Sequence, residues 1–338
     1  MRCSGRGRSG NIAGVTGDGR LQWRAITVDD CVEWARLLLA VEESYGTEDI
    51  VGAEDLVEDL RDPYVDPDRG TIAAFSQGSM IAYAGLRASA TVTDRHEMDL
   101  HGAVHPGQRG RGLGTRLLAW AEQAALPLHQ ARYPGHPLAL SASCPAGQGD
   151  ALALFAAAGY QQSRWFHFMS RDLTGSVADG QIPEGTRITA YAAEFSEAAR
   201  QVRDEAFRDH WGSTPTTEDS WQHFVGHERF RPSFSFLAYL GDKPAGVLIA
   251  EEYDAFRQAT GRRECYVATV AVTEVARGRG IASALIRRSL AAAQADGCTV
   301  ATLYVDADSP TGALTLYEHT GFTKQRTSVT LIKDLAEH

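Results

Sequence analysis

Apolar and polar positions along the chain fall into short alternating runs and longer runs with helical spacing, in an order that occurs twice. Two β-rich runs joined by a turn lie at Thr71–Phe75 and Met80–Leu86, across Gln77-Gly78, and again at Phe234–Leu240 and Ala245–Glu252, across Gly241-Asp242-Lys243-Pro244. Both pairs predict antiparallel hairpins. Helical stretches precede them, Asp29–Val41 and Ala53–Leu60 in the first half, Glu194–Phe207 and Glu218–Val225 in the second. An apolar run follows each hairpin, Met98–Val104 or Tyr266–Val272, then a glycine-arginine segment, then a helical run, Leu113–Ala125 or Ile281–Ala295. Each half closes with a short helix stopped at Gly159 or Gly321, where a left-handed residue ends a helix most easily. The predicted order is helices, hairpin, strand, loop, helix, strand, short helix, strand, written twice.

The glycine segments superpose without a gap. The first reads Val104-His105-Pro106-Gly107-Gln108-Arg109-Gly110-Arg111-Gly112-Leu113-Gly114-Thr115 and the second Val272-Thr273-Glu274-Val275-Ala276-Arg277-Gly278-Arg279-Gly280-Ile281-Ala282-Ser283. A length of 338 residues exceeds one ordinary core, and roughly 100–200 residues per domain gives two. The expected division is a tail over 1–20, rich in Gly, Arg and Ser, a first domain over 21–172, a polar linker over 173–185 and a second domain over 186–338. An apolar share of 43% and a charged share of 22% are those of folded globular domains.

Charge and cysteine content narrow the partners. A net charge of −10 repels a polyphosphate backbone, and the arginines form no long basic face, so no nucleic acid is expected. The N-terminus lacks the apolar core of a secretory signal, and no apolar run approaches the roughly 20 residues that span a bilayer. Five scattered cysteines without a CxxC pair argue against a disulfide framework or a zinc site and for reduced thiols in a cytoplasm. The expectation is a cytoplasmic protein, monomer or homodimer, that needs no metal.

Arg-Gly-Arg-Gly-x-Gly/Ala between a strand and a helix has a physical purpose. Glycines let successive backbone N–H groups converge on an anion, and the helix start adds the positive end of its dipole. That geometry suits a pyrophosphate, with Arg109 or Arg277 adding charge and Gly114 or Ala282 letting the ligand approach. The competing reading is a glycine turn that binds nothing. A Rossmann loop would require G-x-G-x-x-G after a parallel unit, which neither segment supplies.

The loops match the Arg/Gln-x-x-Gly-x-Gly/Ala signature of the GNAT acyltransferases, and the resemblance runs from about Leu21 to Lys333. It implies an α/β (α+β) chain of two tandem GNAT folds, each a mixed, mostly antiparallel twisted sheet flanked by helices and splayed after its fourth strand. In that family the pantetheine of CoA pairs with the fourth strand like an added strand, which here falls on Val270, Ala271 and Val272, with Val104 in the first copy. The pyrophosphate falls on Arg277, Gly278, Arg279, Gly280, Ile281, Ala282 and Ser283, and in the first copy on Arg109, Gly110, Arg111, Gly112, Gly114 and Thr115. The chain looks most like tandem members whose C-terminal copy catalyses while the N-terminal copy still holds cofactor.

The family's strand-four glutamate falls on Glu264 and its acid tyrosine on Tyr317. An alkylammonium with a pKa around 10 cannot attack a thioester, so a carboxylate is needed to take its proton, and a phenol can protonate the departing thiolate. The plain alternatives are a surface charge for Glu264 and an amphipathic core tyrosine for Tyr317. The first copy has Phe155 in place of Tyr317 and, in the gap-free alignment, His96 in place of Glu264, with Glu97 turned to the other face. It therefore reads as catalytically impaired.

Many family members carry an asparagine after the fifth strand, where this chain has Asp308 and Ser309. The stretch Ala206–Gly212 reads equally as an acceptor contact or as a packed helix end. The acceptor expected is a primary amine of a small polar metabolite, antibiotic or thiol precursor, drawn by Glu251, Glu252, Asp254, Glu264 and Asp308 around the second site. Two other functions remain open, a CoA-binding regulatory module without turnover and a protein or peptide N-acetyltransferase.

Overall fold

A computed structural model describes residues 21–177, 181–208, 210, 213–309 and 311–335. The expected tail over 1–20 lies outside them, as do parts of the linker and of the 206–212 segment. In chain order the first half contains β1 (Leu21–Arg24), α1 (Cys31–Tyr45), α2 (Ala53–Leu60), α3 (Pro67–Gly70), β2 (Thr71–Ser76), β3 (Ser79–Arg87), β4 (His96–Val104), α4 (Leu113–Arg132), β5 (Leu138–Pro145), α5 (Gly149–Ala157) and β6 (Gln161–Asp172). The second contains β7 (Thr186–Ala190), α6 (Ser196–Ala206), α7 (Glu218–Gly226), β8 (Phe236–Leu240), β9 (Lys243–Glu251), α8 (Asp254–Thr260), β10 (Glu264–Val272), α9 (Ile281–Ala295), β11 (Val300–Asp306), α10 (Ala313–His319) and β12 (Thr323–Leu335).

The hydrophobic pattern explains most of these elements. Helix α9 occupies the predicted span because Ile281, Leu285, Ile286, Leu290 and Ala293 form one apolar stripe that the sheet buries. Helix α4 runs past Pro127 to Arg132, beyond the predicted end at Ala125, because Leu128 and His129 are buried in its last turns. Packing there outweighs the missing N–H of proline. The opening strands β1 and β7 were not foreseen; each is a short edge strand without a clean alternation.

All twelve described strands join one sheet in the order β1-β2-β3-β4-β5-β12-β6-β11-β10-β9-β8-β7. Only β4–β5 and β10–β11 pair in parallel. The closing strands cross over: β12 inserts between β5 and β6 of the first half, while β6 inserts between β12 and β11 of the second. The break at 173–185 in sequence and the division of the sheet in space therefore differ. Helices α4 and α9 cover one face over two apolar clusters, and α1–α2 and α6–α7 cover the other over two more.

Candidate active site

The second site begins where two parallel strands part. Strand β10 pairs with β11 only over Glu264–Tyr266 against Val300–Thr302. Beyond Tyr266 the side of β10 facing β11 has no strand partner among the described residues, while its other edge stays bound to β9 through Val272. A register shift between Val267 and Thr269 bulges the strand at the point of divergence. The bulge is also visible in the packing: Cys265 and Val267 face the α9 core, and after it Val270 and Val272 do so while Ala271 faces α6. Val270 to Val272 thus offer the free backbone edge that a peptide-like chain can extend.

The strand then enters the glycine loop. Gly278 and Gly280 take φ of +73° and +80°, a conformation that a side chain would strain. Backbone bonds run from Ala276 to Thr273 and from Arg277 to Glu274, then resume with Ala284 to Gly280 at the first turn of α9. The intervening amides, Gly278 to Ser283, meet at a helix start, the arrangement that holds a pyrophosphate. Arg277 points elsewhere: Nη2 donates to the Ala206 carbonyl at 2.9 Å and Nε to that of Val272 at 3.3 Å, tying α6 to the strand end. Arg279 is exposed.

Glu264 is buried on the face opposite α9 and accepts a hydrogen bond from Thr302 Oγ1 on β11. Burial pushes its carboxyl up to about 7; the Thr302 hydroxyl and Arg262 oppose that rise, and Asp49 and Glu48 add to it. Tyr317, in the first turns of α10, is buried, and burial alone raises its phenol well above the ordinary value. Its ring meets Phe322 edge-on at 5.9 Å. The first copy has the same pair with the hydroxyl on the other ring, Phe155 against Tyr160 at 5.1 Å.

Faces rather than gap-free counting set the correspondence of the copies. His96 turns toward α4, where its Nδ1 lies 2.9 Å from that of His129, and the buried ring is pulled down to about 4. Glu97 takes the face that Glu264 takes: Glu97 pairs with Ala139 and Glu264 with Val300, both on the face away from α4 and α9. The reason is the bulge, which adds one residue to β10, whereas β4 pairs with β3 without a shift. The first copy therefore retains a carboxylate at that position, bound to Arg95 at 2.8 Å, and Ser141 stands for Thr302 and Ser143 for Tyr304.

A cavity of about 920 Å³ opens in the first copy, lined by Val104, Arg109, Gly110, Gly112, Thr115 and Phe155. Gly114 borders it, but a Cβ there would come 2.7 Å from Leu154 Cδ2, so that glycine serves close packing of α4 on α5 rather than ligand approach. Arg109 lies over the Tyr45 ring at 4.9 Å and 3.9 Å from Asp150, and Arg111 is exposed. Phe207 and His210 of the second half line the same cavity, which places these two residues of the 206–212 segment at the first copy's cleft. The reverse contact was invisible in sequence: Glu48 and Asp49 of the first half reach Arg262, Tyr304 and Arg326 beside Glu264.

The acidic field expected around the second site is largely neutralised. Glu252 is buried between Arg231 at 3.0 Å and Arg263 at 2.6 Å, Glu251 faces Arg229 at 3.4 Å, and Asp254 pairs with Arg257 at 3.0 Å. Asp308 is exposed.

A splayed mixed sheet, a glycine loop at a helix start and their duplication define a tandem acyltransferase of the GNAT type. The chain belongs to the Acetyltransferase (GNAT) family, whose model matches residues 34–133 and 196–322. It is 34% identical over 227 residues to a mycothiol acetyltransferase of Thermobispora bispora, covering 65% of this chain and 71% of that protein. A mycothiol acetyltransferase of Salinispora tropica is 30% identical over 273 residues, covering 78% of this chain and 81% of the relative. Among solved structures, a GCN5-related N-acetyltransferase from Sphaerobacter thermophilus superposes with a TM-score of 0.77 at 26% identity, covering 95% and 98% of the two chains. A tandem GNAT protein from the clavulanic acid biosynthesis pathway shares the fold, with a TM-score of 0.70 at 17% identity over 94% and 99%. The protein is an acetyltransferase, and no helix among the described residues is long and apolar enough to cross a membrane.

Proposed function

We propose that the second copy transfers an acetyl group from acetyl-CoA to the primary amine of a small polar metabolite or thiol precursor. The observation that carries this reading is a buried carboxyl near 7, Glu264, at the point where β10 leaves β11. Acetyl-CoA supplies the activated acetyl group. Val270 to Val272 and the loop amides of Gly278 to Ser283 hold the donor, one along the strand edge and the other at its pyrophosphate, while Arg277, bound to Glu274, Val272 and Ala206, supports the loop from outside. Glu264 takes the proton of the acceptor ammonium, directly or through water, so that nitrogen can form the new C–N bond as the C–S bond breaks. Tyr317 gives its proton to the departing sulfur, and the second proton that the nitrogen loses on becoming an amide returns to the Tyr317 oxygen; the raised pKa of that phenol keeps it protonated at neutral pH between turnovers. The first copy binds CoA in its 920 Å³ cleft but turns over poorly, since Phe155 has no proton to give.

The named relatives are mycothiol acetyltransferases, and the chain's resemblance to mycothiol synthase makes the amine of a cysteinyl pseudo-disaccharide the first acceptor to try. The test is a screen of primary amines with acetyl-CoA, following acetylated product and released thiol. Acceptor-dependent turnover supports the reading. CoA binding without turnover would replace it with a regulatory module, and turnover only with peptides would replace the acceptor.

A further inference from the structure

The first half sends a loop across to the second half, against β11 and β12 beside Glu264. After α1 the chain turns at Gly46, φ +66°, and Glu48 adopts φ +58°, a conformation that non-glycine residues seldom take. The buried carboxylate of Glu42 braces this turn by accepting from Thr47 Oγ1 and the Glu48 amide. At its tip, Asp49 accepts from the Tyr304 hydroxyl at 2.9 Å and from Arg326 Nη2. Arg326 in turn sits over Phe168, its guanidinium carbon 3.6 Å from the ring centre. Tyr304 stands on β11 two residues after Thr302, the partner of Glu264, and on the same face.

We propose that Asp49, supplied by the first copy, is an acceptor-binding residue of the second copy's site, where it takes hydrogen bonds from hydroxyl groups next to the reacting amine. This inference rests on the amine-acceptor reading above. The contact is poorly suited to be a mere latch. Asp49 keeps 47% of its side chain open and Tyr304 stays 37% exposed, and ion pairs open to water contribute little stability. A carboxylate offers about four acceptor directions, and Tyr304 and Arg326 fix its plane without filling them. The site thus presents an oriented carboxylate beside the exposed Tyr304 ring, which suits a hydroxyl-bearing scaffold.

The other cleft supplies the contrast. There the reciprocal loop of the second half presents Phe207 and His210, and Ser143 stands in place of Tyr304. Among the described residues of the two loops, Asp49 meets Tyr304 in the copy that has Tyr317, and Phe207 and His210 line the cleft of the copy that has Phe155. Each half thus sends its loop to the other's site, with different side chains at the described positions.

The test compares two probes with the same blocked thiol and the same reacting amine, S-methylcysteinyl-glucosamine and S-methylcysteine cyclohexylamide. In the full-length protein, Asp49→Asn should lower the ratio of kcat/KM for the hydroxylated probe over the hydroxyl-free probe by about tenfold or more, the usual effect of losing hydrogen bonds to a charged group. An unchanged ratio would overturn the proposal, whether or not both rates fall together. Should Asp49→Asn fold poorly, Tyr304→Phe, which unhooks the carboxylate but keeps it, should lower the same ratio more modestly. Wild-type protein that acetylates neither probe overturns this proposal, and the amine reading falls with it only if no primary amine in the screen above turns over.

Discussion

At the scale of single residues, the two copies differ by where one hydroxyl sits. Tyr317–Phe322 and Phe155–Tyr160 are the same aromatic pair with the oxygen exchanged, so packing is conserved while a proton donor is not. Tyr317→Phe should therefore leave the core and CoA binding intact and lower kcat by roughly the 10²–10⁴-fold of a lost general acid. Steady-state kinetics beside calorimetry of CoA binding checks this. Glu264 makes a second prediction through pH. Its environment, burial foremost, then Thr302, Asp49, Arg262 and Glu48, sets the carboxyl at about 7, and Tyr266, Tyr304 and Arg326 lie around the same face. The rate with a low-pKa amine should rise through about pH 7, and Glu264→Gln should abolish that limb without weakening acetyl-CoA binding. The sign for stability is opposite. A carboxyl whose folded pKa is raised favours the fold when protonated and loses that contribution as pH rises through about 7. The Tm of Glu264→Gln should therefore gain on wild type between about pH 5 and about pH 9, and an unchanged difference would mean that the Glu264 carboxyl is not raised by burial.

At the scale of elements, the glycine loops were the most legible part of the molecule because their chemistry is local. Two positive-φ glycines before a helix need no knowledge of the rest of the chain. Replacing Gly280 with Val would force a branched side chain into φ +80° close to Pro183, and calorimetry should show CoA binding at the second site lost. Retained affinity would mean that the loop does not hold the donor. Hairpins and long helices were equally readable, since their periodicities are set by one buried face. What could not be read depends on partners distant in sequence. The bulge in β10 shifted the alignment of the copies by one, turning His96 into the apparent counterpart of Glu264 when Glu97 is the true one. The change of parity from Cys265 and Val267 to Val270 and Val272 was the available signal. Asp49 gave none, because a carboxylate in a short loop reads as solvated until the loop is seen against β11 and β12 of the other half. Glu251 and Glu252 were misplaced for the complementary reason: their arginines, Arg229, Arg231 and Arg263, come from other segments.

At the scale of the whole molecule, the copies are joined by more than a linker. β12 completes the first half against β5 from Ser328 to Leu335, and β6 lies against β11 along its whole length in the second. Arg229 of the second half faces Asp55, Glu58 and Asp59 on α2 of the first, at 4.0, 3.8 and 3.6 Å, with its side chain mostly buried. Either half alone would expose the edges of two strands and strand a cluster of charges, so neither should fold as an independent unit. The intact protein should accordingly melt in one transition, with van't Hoff and calorimetric enthalpies in agreement, although its repeat suggests two domains. Fragments cut within 178–180 and produced separately should aggregate or lack cooperative melting, whereas the two produced together should assemble into a species that melts as one. Two resolved transitions in the intact chain, or a soluble and cooperatively folded first fragment, would mean that the exchanged strands are dispensable to each half and that the copies communicate only through their loops.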